Sequence, residues 1–200
     1  QLSKYLSPQL YQSIFSGEQQ VDIESKRKKL TVFFSDIVGF TNISDSLESE
    51  EITSMLNYYL TEMSKLALEF GGTIDKYMGD CIMAFWNAPL PCENHAEMAV
   101  KSAIEIEEKI NELKREYKER DLPDINVGTG VNTGTCIVGN MGSESRFDYS
   151  VIGDAVNLAA RLEATAGRHE YVEHKTIMSR STMKQLGEGY ASHEIGQIKV

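Results

Sequence analysis

The chain has 200 residues, 41% of them hydrophobic and 25% charged, which is enough to bury one substantial core within a single domain. Thirty acidic residues against twenty basic ones give a formal charge of -10, which excludes a broad nucleic-acid surface, because phosphate contacts need clustered Lys and Arg. No window approaches the roughly eighteen consecutive apolar residues of a membrane span, and Cys81, Cys92 and Cys136 lack CxxC spacing, which fits reduced thiols in a cytoplasmic domain better than a disulfide framework or a zinc site.

The chain begins with Gln and shows no signal-peptide pattern, so it is expected to be cut from a longer protein, one compatible with membrane attachment elsewhere. Residues 1–29 are polar and end in the basic run KRKK at 26–29; they read as a short helix plus a linker from an upstream region. Leu30 to Phe34 then forms an apolar run rich in β-formers, as in a strand buried on both faces. A loop leads to Ser49, after which Ile52, Met55, Leu56, Tyr59, Leu60, Met63, Ala67 and Phe70 recur at helical spacing up to Gly71-Gly72.

Residues 72–86, GTIDKYMGDCIMAFW, read as a hairpin turning at Met78-Gly79, stopped by Pro89 and Pro91. A second long helix is expected from about Glu93 to Arg120, with Ala99, Ala103, Ile106, Ile110, Leu113 and Tyr117 on one side. DINVGTGVNTGTCIVGN returns to strands, and GTGVNTG within it reads as a hairpin turn, since it has neither GxGxxG spacing nor a following helix. YSVIGDAVNLAARLEATAG is strand, turn, helix and Gly stop. His169 and His174, five apart among polar residues, read as surface histidines.

This order, β-α-β-β-α-β with a further α/β extension, predicts an α+β fold: a ferredoxin-like core with helices packed on one face of a mostly antiparallel sheet. In such a sheet the first and third strands are neighbours, which brings Asp36, at the end of one, beside Asp80, at the start of the other. Taken alone, Asp36 is an ordinary turn residue; paired with Asp80 it makes a site for a hard divalent cation, which prefers carboxylate oxygens. Gly39 in IVGFT would let backbone N–H groups curl around an anion beside it. Asn157 and Arg161, four apart, share one helical face, which by itself is an ordinary exposed face. Lys76 stands in an otherwise apolar strand, where an unpaired buried ammonium would be costly.

FSDIVGFT, DKYMGD and YSVIGDAVNLAARLE, in that order, resemble the class III nucleotidyl cyclase catalytic domain over about residues 30–200. The resemblance implies an adenylate cyclase that makes cyclic AMP from ATP, with two divalent cations, Mg²⁺ or Mn²⁺, on Asp36, Asp80 and the backbone carbonyl of Ile37. It implies triphosphate binding by backbone N–H groups at Phe40 and Thr41 and by Arg146, and purine selection by Lys76 and Ser150. Asn157 would orient the ribose, and Arg161 would stabilise the transition state.

Ser150 stands where Asp is commoner, as in the subgroup that includes bicarbonate-responsive cyclases, so bicarbonate is an implied effector. The family also implies a homodimer with each site shared between two chains, control by an upstream sensor, and a terminal-phosphate Lys beyond Val200. The alternatives are a guanylate cyclase, against which Lys76 speaks, and an inactive nucleotide-binding module that regulates a partner.

Overall fold

A computed structural model describes residues 25–143, 146–168, 171, 173 and 175–197. The helix expected near the N-terminus lies outside these residues, as do His169 and His174. Six strands, β1 (Lys26–Ile37), β2 (Thr73–Met78), β3 (Cys81–Trp86), β4 (Val127–Ser143), β5 (Arg146–Ile152) and β6 (Thr176–Met178), form one sheet in the order β2-β3-β1-β4-β5, with β6 beside β4.

Strand β1 (Lys26–Ile37) is central, and its alternation serves two cores. Phe33 and Ile37 point into one, and Leu30, Val32 and Phe34 into the other, as expected for a strand buried on both faces. KRKK is part of this strand and not a linker. Lys26–Lys29 pair with Val138–Thr135 of β4 (Val127–Ser143), so the backbone stays in the ladder while these side chains sit largely in solvent.

After β1 come a single turn, α1 (Phe40–Ser44), and the long helix α2 (Ser49–Glu69). The N-cap of α2 is Glu48, whose N–H donates to the Glu51 carboxylate at 3.2 Å, one residue before the expected start at Ser49. Gly71, at φ +79, ends the helix. Strands β2 (Thr73–Met78) and β3 (Cys81–Trp86) form the expected hairpin, but the turn is Gly79-Asp80, so Asp80 sits at the tip just before β3.

Helix α3 (His95–Glu119) packs with α2 against the face carrying Phe33 and Trp86. Its first residue is anchored through His95 Nδ1, 2.7 Å from the Thr31 hydroxyl, and burial holds the pKa of this histidine below the ordinary range.

GTGVNTG is not a turn. It lies inside the seventeen-residue strand β4, which is continuous from Val127 to Ser143. Its glycines answer a different need, close approach by the next helix. Strand β5 (Arg146–Ile152) returns along the outer half of β4 and leads into α4 (Asp154–Thr165). A Cβ on Gly130 would lie 2.2 Å from Glu163 N and 2.3 Å from Ala159 O, and one on Gly128 2.6 Å from Ala166 O.

Helix α4 therefore rests backbone to backbone on the face opposite α2 and α3, over Val32, Phe34 and Val138, and the helices do not all share one face. Strand β6 (Thr176–Met178) runs parallel to β4 beside Thr129–Val131, and α5 (Arg180–Met183) follows it. Among the described residues no helix is long and apolar enough to cross a membrane.

Candidate active site

The β1–β3 pairing puts the end of β1 beside the hairpin tip. Ser35 pairs with Ile82, and the Ile37 N–H donates to Asp80 Oδ2 at 2.9 Å. Asp36 and Asp80 therefore meet at one sheet edge, as the strand order predicts.

Their surroundings are strongly negative. Burial, only partly offset by the Ile37 N–H, raises the pKa of Asp80. The Cys81 thiol next to it is pushed up to about 12, first by burial and then by Glu163, Asp36 and Asp80. Asp36 Oδ1 is buried and makes no hydrogen bond among the described residues. A buried carboxylate oxygen that no N–H or hydroxyl among the described residues serves, beside a second carboxylate, suits a hard cation.

Two further residues crowd this edge, and neither stood out in the sequence. Glu163 is buried on α4 against Asp36, and its pKa is driven well above the ordinary range by burial first and by the Asp36 carboxylate second. Arg168 lies 3.9 Å from Asp36 Oδ2 and 3.7 Å from Glu163 Oε1. A signal for Glu163 did exist: the buried residues of α4 include Val156, Ala159 and Glu163, so a carboxylate occupies a place in the apolar stripe. Arg168, just past the helix, leaves no periodic trace.

Beside this edge the chain turns into α1. Gly39 has φ +70, and the N–H groups of Asn42 and Ile43 both donate to its carbonyl. The N–H groups of Phe40 and Thr41 open the turn and so fall outside its own ladder, as an anion cradle requires.

Lys76 is not buried. A bulge between Ile74 and Lys76 shifts the alternation of β2, turning Asp75 inward with a fully buried side chain and leaving the Lys76 side chain 47% exposed, 3.4 Å from Asp75 Oδ1. Ser150 on β5 donates its hydroxyl to Asp75 Oδ2 at 2.6 Å. One carboxylate, Asp75, thus joins Lys76 and Ser150, although β2 and β5 stand at opposite ends of the strand order.

Asn157 and Arg161 do share an exposed face of α4, and their side chains make no hydrogen bond or ion pair among the described residues. They do not join Asp36 and Asp80 within this chain. Arg146 opens β5, and the placement of its side chain lies outside the description.

Residues 23–200 match the family described as the Adenylate and Guanylate cyclase catalytic domain. The chain is 39% identical over 161 residues to an adenylate cyclase of Anabaena cylindrica, covering 78% of this chain and 32% of that one. The chain thus spans about a third of that relative's length. Among solved structures, the adenylyl cyclase CyaB from P. aeruginosa superposes with a TM-score of 0.81 at 41% identity, over 88% of this chain and 89% of that chain. The guanylyl cyclase Cya2 superposes with a TM-score of 0.73 at 34% identity, over 82% and 81% of the two chains.

Proposed function

Since the chain belongs to the adenylate and guanylate cyclase catalytic domain family, we propose that it is an adenylate cyclase, converting ATP to 3',5'-cyclic AMP and pyrophosphate. The observation that carries this reading is the meeting of Asp36 and Asp80 at one strand edge, with a buried Asp36 oxygen that no N–H or hydroxyl among the described residues serves.

Asp36, Asp80 and the Ile37 carbonyl would hold two divalent cations, Mg²⁺ or Mn²⁺. Bound there, they supply a lowered pKa for the ribose 3'-hydroxyl and a counter-charge for the leaving pyrophosphate. The chain's own groups supply position and electrostatics for the in-line attack of the 3'-oxygen on the α-phosphorus. Backbone N–H groups at Phe40 and Thr41, with Arg146, hold the triphosphate. Asn157 fixes the ribose, and the Arg161 guanidinium meets the charge that grows on the α-phosphoryl oxygens in the transition state.

Lys76 can only donate, which suits N1 of adenine and opposes the N1–H of guanine. This is the ground for preferring ATP to GTP, although the same fold serves the guanylyl cyclase Cya2. Since Asn157 and Arg161 face outward without partners among the described residues, a homodimer is proposed in which α4 of one chain completes the site at Asp36 and Asp80 of the other. An upstream sensor setting the spacing of the two chains, and stimulation by bicarbonate, belong to the same proposal.

The test is cyclic nucleotide formation from ATP and from GTP, with Mg²⁺ or Mn²⁺. Cyclic AMP that disappears in Asp36→Ala is expected. Preferential cyclic GMP would assign the guanylate activity instead, and silence from folded protein with both nucleotides would favour the nucleotide-binding module.

A further inference from the structure

We propose that Asp75 sets base choice by fixing the Ser150 hydroxyl as a hydrogen-bond acceptor. This rests on the reading that Lys76 and Ser150 face the nucleobase.

The geometry is specific. The β2 bulge drives a carboxylate into a fully buried position, where the Ser150 hydroxyl at 2.6 Å and the Val151 N–H donate to it and the Lys76 ammonium forms an ion pair with its Oδ1 at 3.4 Å. Ser150 itself is only 5% exposed, so water offers its hydroxyl proton little competition for that carboxylate.

A serine hydroxyl has one proton and two lone pairs. With the proton committed to Asp75, Ser150 can offer a third group only lone pairs. The Lys76 ammonium has three protons, so pointing one at Asp75 leaves two for a ligand. Lys76 and Ser150 thus present a donor next to an acceptor. Adenine presents the complement, an acceptor at N1 and an amino donor at C6. Guanine presents the opposite at both atoms, N–H at N1 and a carbonyl at C6.

An unanchored serine would not discriminate in this way, because its hydroxyl could rotate and donate to the guanine carbonyl. Asp75 supplies the decisiveness that a bare hydroxyl lacks. It is a positioning residue, acting on the base only through Ser150 and Lys76.

The test compares kcat/KM for ATP, GTP and purine riboside triphosphate, which carries neither amino nor carbonyl at C6. The proteins are wild type, Asp75→Ala, Asp75→Asn, Ser150→Ala and the Asp75→Ala/Ser150→Ala double variant. Asp75→Ala is expected to lower the ATP:GTP ratio by about tenfold, the scale of one hydrogen bond. Asp75→Asn, whose amide oxygen can still accept the Ser150 hydroxyl, should keep most of the ratio. In the Ser150→Ala background, loss of Asp75 should shift the ratio much less, a non-additive pair.

Equal losses on all three nucleotides would mean a merely structural carboxylate and overturn the inference, as would additive effects of Asp75→Ala and Ser150→Ala. Should Asp75→Ala fail to fold, Asp75→Asn and Ser150→Ala still decide: a ratio unmoved by Ser150→Ala overturns it. A wild-type chain that does not prefer ATP overturns the functional reading and this inference together, whereas a preference for ATP that is indifferent to Asp75 and Ser150 overturns this inference alone.

Discussion

The two parts of the candidate site are built to different degrees. The edge with Asp36 and Asp80 is finished within one chain: the Ile37 N–H binds Asp80, Glu163 presses on Asp36, and Arg168 lies near both Asp36 and Glu163. The outer face of α4 offers Asn157 and Arg161 to solvent with nothing among the described residues to hold them. A carboxylate pair has to be enforced by the fold, since like charges separate unless backbone and neighbours pin them. An exposed amide and guanidinium on a rigid helix need no such enforcement. The first half is preorganised by the sheet, and in the proposed dimer the second would meet a surface of the other chain.

The strongest way to break this contrast is complementation. Asp36→Ala should reduce cyclic AMP formation to background, and Arg161→Ala should cost about 10²- to 10³-fold in kcat, as for loss of one transition-state donor. Mixing the two inactive proteins should restore about a quarter of wild-type activity. Half of randomly exchanged dimers are mixed, and each carries one intact site of two. No recovery from two folded variants would place both halves in one chain.

A smaller effect is expected where α4 meets β4. Gly130→Ala forces a methyl into the backbone of Ala159 and Glu163, which should destabilise the chain by about 1–3 kcal/mol in urea unfolding. It should also lower activity, although Gly130 has no chemical role. Unchanged stability would mean that α4 floats on the sheet.

The enforced edge should leave a signature in pH. The folded pKa of Glu163 is raised, by burial and then by Asp36, with Asp80 adding to the rise and Arg168 opposing it. Below the ordinary glutamate pKa both folded and unfolded chains hold the proton, so Glu163 costs nothing. As pH rises from there towards the raised folded value, the unfolded chain releases the proton first and stability declines. Glu163→Gln should therefore raise the thermal midpoint at mildly alkaline pH in a chelating buffer and change it little near pH 4. A midpoint gain independent of pH would point to packing instead.

The smallest effect is expected at Arg168. Its side chain is 45% exposed and its carboxylate contacts are long, so Arg168→Ala should change stability by less than about 1 kcal/mol. A larger loss in the same unfolding assay would make this arginine part of the enforcement.

What was legible in the sequence follows the same division. Adjacency of Asp36 and Asp80 could be read from element order, because a split βαβ sheet places its first and third strands together. The shared face of Asn157 and Arg161 followed from their spacing of four. Features created by contact between distant segments were hidden. GTGVNTG resembles a turn because glycine marks turns more often than helix crossings, and only α4 lying on β4 reveals the second use. The inward turn of Asp75 depends on a bulge, so the alternation expected of β2 misplaced Lys76 as buried.

The glycine furrow of β4 also bears on how control could reach the catalytic centre. A helix packed through interlocking side chains can ratchet by exchanging rotamers. Where α4 is bedded on bare backbone, at Gly128 and Gly130, it has no such gears, and the close approach leaves little room for the helix to slide. Strand and helix must then travel as a single plate. In the proposed dimer, an input would then act by changing how two such plates are set against each other, leaving each internally unaltered.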